Sequence, residues 1–258
     1  ILLLTKHFQK TKNIIGKDLS NQMNIPVLSY HSISDDKSSI SISTNIFEKQ
    51  IIFLKKLSYE SVNFDEIDPN KKNQIILTFD DGYKDILINA LPILKKYNFK
   101  ATCFFVTNLI GKNNNWDNKK ENYKIKELMN PDDIKKWYEN GMSVQSHSHN
   151  HLDLTKLSNI EIIKELEYSK KYLLENFNIE SDVFCYPFGR VNKNVYEITK
   201  KIYKNAVTTN RSRYNINKHN PLLIPRIDMG QKVSFIKLYL KLRTFYEDIK
   251  FKKNELQL

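Results

Sequence analysis

The sequence predicts an α/β protein built on a parallel sheet with outer helices, and three observations lead there. Short apolar runs alternate with amphipathic stretches through most of the 258 residues, and strands separated by helices imply parallel pairing. Several of the apolar runs stop abruptly at acids, histidines or glycine, as strands do when they carry a site at their C-terminal ends. Hydrophobic residues make up 40% of the chain and charged residues 27%, which is enough apolar content for a full core and too much for disorder. The pattern leaves open whether the sheet is flat or closed on itself.

Residues 1–24 are polar and basic, without a clear period, and read as a leader or edge segment. IPVLSYH (25–31) is an apolar run ending in polar residues, as a buried strand would be. In TNIFEKQIIFLKKL (44–57), Phe47, Ile51, Leu54 and Leu57 fall at helical spacing, with Thr44 or Asn45 as the cap. QIILTFDDG (74–82) reads as a strand running into acids, and 84–97 as a helix bent or interrupted at Pro92. ATCFFVT (101–107) is the next strand, followed at 108–130 by a polar, Asn- and Lys-rich insertion near the mouth of the fold. Pro131 opens a helix through Glu139 at the favoured first position. MSVQSH (142–147), DVFCYP (182–187), AVTT (206–209) and LLIPRID (222–228) read as strands, and 158–176 and 192–203 as helices. Residues 233–258 read as a basic amphipathic helix, so one domain is expected over 25–232 between a leader and a terminal helix.

Composition narrows the function classes. The net charge is +12, but the lysines are spread along the chain and no nucleic-acid motif accompanies them, so no nucleic-acid partner is expected. The basic helix can lie on an anionic membrane or pack on the domain, and packing is the preferred reading. Cys103 and Cys185 lie in apolar runs without CxxC spacing and read as buried free thiols. No stretch approaches the roughly 20 apolar residues of a membrane span. The opening ILLLTKHFQK lacks the order of a signal peptide. The compartment stays open: envelope or extracellular if a signal precedes this sequence, cytoplasmic otherwise.

Four segments carry chemistry. Asp80 and Asp81 follow ILTF directly, and adjacent residues leaving a strand point in different directions, so one carboxylate can bind a metal while the other faces a substrate. Gly82 permits the positive φ of a chain turning at a site's rim. His147 and His151, with His149 between them, end another strand, and two histidines plus a carboxylate make a familiar hydrolytic metal set. In CYPFGR (185–190), Tyr186, Pro187 and Phe188 can form a groove wall with Gly189 for the turn, although plain packing explains them equally well. His31 ends the first strand, where an isolated histidine is more often structural.

TFDDG (78–82), the HSxxH pattern (147–151) and PFG (187–189), in that order and each after a strand, resemble the polysaccharide deacetylase family (carbohydrate esterase family four, the NodB-homology domain). The resemblance covers roughly 25–230 and implies a distorted (β/α)7-type barrel. It further implies that Asp81, His147 and His151 hold a divalent metal, commonly zinc, that Asp80 is the general base, and that the backbone N–H of Phe188 helps hold the oxyanion. The implied partner is a glycan, an N-acetylglucosamine-type polymer or oligomer of the bacterial cell surface. Two features depart from the family pattern. Cys185 stands where the family has arginine, and no histidine follows His219 to supply the usual late acid. VLSYHSIS resembles instead a circularly permuted branch that includes enzymes acting on poly-β-1,6-N-acetylglucosamine, in which the early Tyr-His supplies that histidine, making His31 the acid. Arg226 is the candidate to compensate for the missing arginine and is grouped with Tyr186, Pro187, Phe188 and Gly189 as substrate-binding; His149 is expected to face solvent. An O-deacetylase and a glycan-binding pseudoenzyme are the competing readings.

Overall fold

The computed structural model describes residues 24–117, 124–230, 233–244 and 246–250. Among the described residues, seven strands form the main path of an eight-stranded sheet, β1 (Val27–Tyr30), β2 (Gln74–Phe79), β3 (Thr102–Phe105), β4 (Ser143–Ser146), β5 (Val183–Cys185), β6 (Asn205–Val207) and β7 (Ile227–Asp228), and the short strand Glu60–Ser61 pairs with β2 off that path. The seven are hydrogen-bonded in the order β6-β5-β4-β3-β2-β1-β7, and every pair is parallel. The two ends of that order meet. Ile224, just before β7, bridges Val207 of β6, with Ile224 N–H donating to Ala206 O and Thr208 N–H donating to Ile224 O, both at 2.9 Å. The sheet therefore curls into a distorted (β/α)7-type barrel. LLIPRID works in two parts, one against β6 and one against β1, on either side of Pro225, which has no N–H to give a ladder.

The period of two sorts the strand residues. In β2, Ile75, Leu77 and Phe79 join the large cluster beneath the helices, while Ile76 meets Val27, Phe104, Val183, Val207 and Ile224 from facing strands. This second cluster fills the barrel interior. The same parity continued toward the strands' C-terminal ends gives Ser29, Thr78, Asp80 and Arg226. The interior is thus apolar at one end and polar at the other.

Among the described residues, seven α-helices flank the barrel: α1 (Thr44–Lys56), α2 (Leu91–Tyr97), α3 (Pro131–Glu139), α4 (Asn159–Phe177), α5 (Lys193–Ile202), α6 (Phe235–Arg243) and α7 (Tyr246–Lys250). The cap of α1 is Ser43, whose hydroxyl accepts Ile46 N–H at 3.3 Å, just ahead of the Thr44 or Asn45 read from the sequence. Pro92 interrupts its helix as expected. It has no N–H for an i−4 carbonyl, and the turn before it widens into a π-helix over Ile86–Ala90. Asn130 with Asp133 and Ser158 with Glu161 make reciprocal caps that start α3 and α4.

The basic C-terminal stretch forms two helices over its described part and packs on the barrel. Leu238 and Leu242 are buried, Tyr59 Oη donates to Leu242 O at 3.4 Å, and Arg243 Nη2 donates to Leu57 O at 2.7 Å. Burying each leucine contributes roughly 2 kcal/mol, while Phe235, Ile236 and Tyr239 on the same helix stay exposed. No helix among the described residues is long and apolar enough to cross one. The leader, apart from Asn24, and residues 118–123 of the insertion lie outside the described residues. The ends of the insertion are not a loose loop: Asn113 bridges Glu127 and Tyr83 bridges Leu128, both antiparallel.

Candidate active site

Asp80 and Asp81 leave β2 in different directions. Asp80 continues the interior parity, whereas Asp81 takes φ 74° and Gly82 φ 78°, which turns the chain across the rim. A Cβ on Gly82 would lie 2.6 Å from Cδ1 of Phe105, so close packing as well as the turn demands glycine.

The histidine loop is built in a comparable way. Ser148 (φ 65°) and His151 (φ 58°) are both left-handed, and Ser148 Oγ accepts His151 N–H at 3.0 Å. Glu165 of α4, only 5% exposed, accepts both Asn150 N–H (2.8 Å) and Asn150 Nδ2 (2.5 Å), which ties the loop to the helix. Nothing in the sequence motif announced Glu165; its burial on a polar-looking helix became visible only with the packing. His149, expected in solvent, is half-buried with Nδ1 at 2.9 Å from Thr107 Oγ1, and burial lowers its pKa.

This geometry brings Asp81, His147 and His151 together. Asp81 Oδ1 lies 3.4 Å from His147 Nε2 and 3.5 Å from His151 Nε2, and all three side chains are almost wholly buried. His147 Nδ1 sits 2.7 Å from the Cys185 carbonyl, so that nitrogen carries the hydrogen and Nε2 is the one presented to Asp81. Burial, the strongest influence on His151, lowers its pKa to about 3, leaving a neutral imidazole able to donate a lone pair. Asp81 is held well below the ordinary carboxylate range despite burial, by its hydrogen bond to His147 and the neighbouring imidazoles. Burial opposes a charge on His147, yet its pKa is raised well above the usual value. Burial also raises the Cys185 thiol, which is therefore neutral, so we assign the effect on His147 to the carboxylates. The pocket asks for positive charge between Asp81 and the two imidazoles, and this donor set fits a divalent cation.

Asp80, His147 and Cys185 also have donor atoms close enough to share an ion. That set is a poorer candidate because Asp80 is already committed. Arg226 Nη1 donates to its Oδ1 at 2.7 Å and Nη2 to its Oδ2 at 2.8 Å, a two-pronged clamp between side chains 2% and 5% exposed. Arg226 Nε donates to Thr208 O at 2.9 Å, and Nη2 lies 3.4 Å from Cys185 Sγ. The guanidinium thus reaches across to the position where cysteine replaces the family's arginine. With its nitrogens so engaged, Arg226 holds a carboxylate and offers no face to substrate, unlike the substrate-binding role the sequence suggested. Burial raises the Asp80 pKa, but Arg226, with His31, outweighs it and the net shift is downward. His31 stands on the other side of Asp80, Nε2 to Oδ2 3.9 Å, with its side chain 35% exposed.

In the PFG segment the structure divides the expected groove wall. Tyr186 and Pro187 are buried; Tyr186 Oη donates to Leu222 O at 3.2 Å, so it props the loop from beneath. Phe188 alone is exposed, at 40%, with its ring 4.6 Å from the His151 ring. It holds φ 58° and Gly189 φ 65°, and a Cβ on Gly189 would lie 2.1 Å from Thr209 Oγ1. On the other flank of His151 stands Trp116, centroids 4.6 Å apart, a residue that the polar insertion hid from sequence reading.

With the strand-end carboxylates and the HSxxH loop in place, comparison with known proteins is informative. The family model for polysaccharide deacetylase matches residues 67–207, which include Asp80, Asp81, His147, His151 and the PFG turn. The chain belongs to the polysaccharide deacetylase family. It is 31% identical over 193 residues to the Bacillus subtilis protein YxkH, a match covering 72% of this chain and 64% of that one. It is 30% identical over 210 residues to a poly-β-1,6-N-acetyl-D-glucosamine N-deacetylase of Staphylococcus aureus, covering 72% of this chain and 70% of the relative. Among solved structures, the Streptococcus pyogenes deacetylase PplD in complex with acetate superposes with a TM-score of 0.76 at 27% identity, covering 86% of this chain and 99% of that one. The chain thus spans about two thirds of its curated relatives' length and nearly all of PplD.

Proposed function

We propose that this deacetylase-family chain removes N-acetyl groups from an amino-sugar polymer by metal-assisted hydrolysis. One observation carries the reading: a single Asp81 oxygen lies 3.4 and 3.5 Å from two buried imidazole nitrogens, beside a second carboxylate, Asp80, that Arg226 keeps ionised. Asp81, His147 and His151 hold the ion. When bound, such an ion polarises the acetamide carbonyl and makes a water acidic enough to attack at neutral pH.

The remaining work falls to side chains and backbone. Asp80, kept ionised by the Arg226 clamp, takes a proton from the attacking water. Phe188, whose left-handed backbone turns at the rim beside His151, offers its N–H to the developing oxyanion. The C–N bond breaks as His31, half-exposed beside Asp80, gives a proton to the departing amine, and the products are acetate and a free amino sugar. The exposed Phe188 ring lines the groove that receives the sugar. A poly-β-1,6-N-acetylglucosamine-type polymer is the preferred substrate, in keeping with the Staphylococcus aureus relative.

The test is acetate release from N-acetylglucosamine oligomers by purified protein, with and without chelator and added zinc. Release that stops with chelator and returns with zinc is expected. An absence of release from any acetylated glycan by metal-loaded protein would move the chain to a glycan-binding role.

A further inference from the structure

Lys126, in the returning limb of the insertion, is far from a free surface lysine. Its side chain is 9% exposed and its ammonium touches three oxygens: Asp36 Oδ2 at 2.6 Å, Asp85 Oδ2 at 2.9 Å and Ser32 Oγ at 2.8 Å. An ammonium has three hydrogens to donate, so this one is fully used. The acceptors come from different parts of the rim. Ser32 follows His31 directly, Asp36 lies on the loop beyond it, and Asp85 lies on the turn that leaves the Asp80–Asp81 pair.

Asp85 completes the clip from below. Its Oδ1 accepts Ile33 N–H at 3.2 Å and its Oδ2 accepts Ser32 Oγ at 2.6 Å, while Asn89 Nδ2 donates to Ile33 O at 2.8 Å. Ser32 and Ile33 are thereby fixed on the segment that carries the catalytic carboxylates. The Asp36 pKa is lowered to about 2; burial opposes the shift, and the hydrogen bond from Lys126 is the main force driving it. The limb carrying Lys126 is itself anchored: Lys126 N–H donates to Asn114 Oδ1 at 2.6 Å, and Asn114 Nδ2 to Tyr83 Oη at 3.2 Å.

Among the described residues, no comparable clip holds the His31 side chain directly. Its imidazole is half-exposed and stands 3.9 Å from Asp80, beyond a direct hydrogen bond. We propose that Lys126 is the positioning residue for His31: by joining Ser32, Asp36 and Asp85 it holds the proton-donating imidazole against the Asp80 side of the site. The proposal rests on the deacetylase reading for its catalytic consequence, and on geometry alone for the placement of His31.

The test is a double-mutant cycle with a spectroscopic control. Lys126→Met should lower kcat by about 10- to 100-fold, part of the share expected of acid catalysis, with KM and bound zinc little changed. Lys126→Arg, which keeps the charge, should recover much of the rate. In a His31→Ala background, Lys126→Met should have almost no further effect, because residues that act through one another are not additive. If Lys126→Met folds poorly, Asp36→Asn removes one leg of the clip and should give the same pattern at smaller size. An unchanged kcat in folded Lys126→Met, or the same fractional loss with and without His31, would overturn the proposal. Should the wild-type protein turn over no glycan, the deacetylase reading falls by itself. The His31 ring signals in an NMR spectrum then decide the inference, since they must shift in Lys126→Met if the clip holds the imidazole.

Discussion

Replacing Arg226 with methionine should harm both stability and chemistry, by an amount the structure sets. Two hydrogen bonds of 2.7 and 2.8 Å join its guanidinium to both oxygens of Asp80, and neither side chain is more than 5% exposed. Removing one member of a buried, well-aligned ion pair leaves an uncompensated charge and costs about 3–5 kcal/mol. In a protein of this length that corresponds to a fall in Tm of about 6–20 °C. The pH dependence has a definite sign. In the wild type the Asp80 pKa is lowered, so its contribution is present above the unfolded carboxylate value of about 3.9 and fades as pH falls through the folded value. Without Arg226, burial pushes the Asp80 pKa upward, and stability is lost as pH rises. The gap between wild type and variant should therefore be widest near neutrality and narrow in acid. Calorimetric melts of zinc-loaded protein across that range measure it, and Asp80→Asn in the Arg226→Met background should recover part of the loss. Equal melting temperatures at every pH would refute the clamp.

Other outcomes follow from the same geometry. Asp80→Asn should abolish acetate release while leaving bound metal unchanged in elemental analysis, because it removes a base and no ligand. His151→Ala should lose the metal as well; full metal content in that variant would contradict the donor set. His31→Ala should lower turnover by about 10² to 10⁴, read by single-substrate kinetics, and an unchanged rate would remove it from the mechanism. Gly189→Ala forces a Cβ to 2.1 Å from Thr209 Oγ1 at φ 65°, so it should cost about 1–3 kcal/mol in denaturant unfolding and lower kcat by displacing Phe188.

How much of this could be read before the fold was known depended on range. The longer barrel strands read as apolar runs and the long helices carried a local period; the ends of β2, β4 and β5 carried TFDDG, HSxxH and PFG, whose resemblance to the deacetylase family implied the donor set Asp81, His147 and His151. Two-residue strands such as Ser32–Ile33 with Ser41–Ile42 have no period to detect. The clamp on Asp80 joins residues 146 positions apart, and only the closing of the barrel brings Arg226 against Cys185. The sequence could nominate Arg226 for the missing arginine but not say that it would grip the base. Tyr186 shows the opposite limit: next to an exposed Phe188, its aromatic ring turns inward to Leu222, a difference set by strand parity and the left-handed turn that follows. Lys126 and Glu165 drew no expectation from the sequence, because burial by distant loops leaves no mark on local composition.

The most direct test of the central claim is an anomalous-scattering map from zinc-soaked crystals. One peak is expected, about 2.0–2.2 Å from an Asp81 oxygen and from Nε2 of both His147 and His151, with Asp80 still held by Arg226. A peak instead between Asp80, His147 and Cys185, or no peak at all in protein that releases acetate, would contradict it.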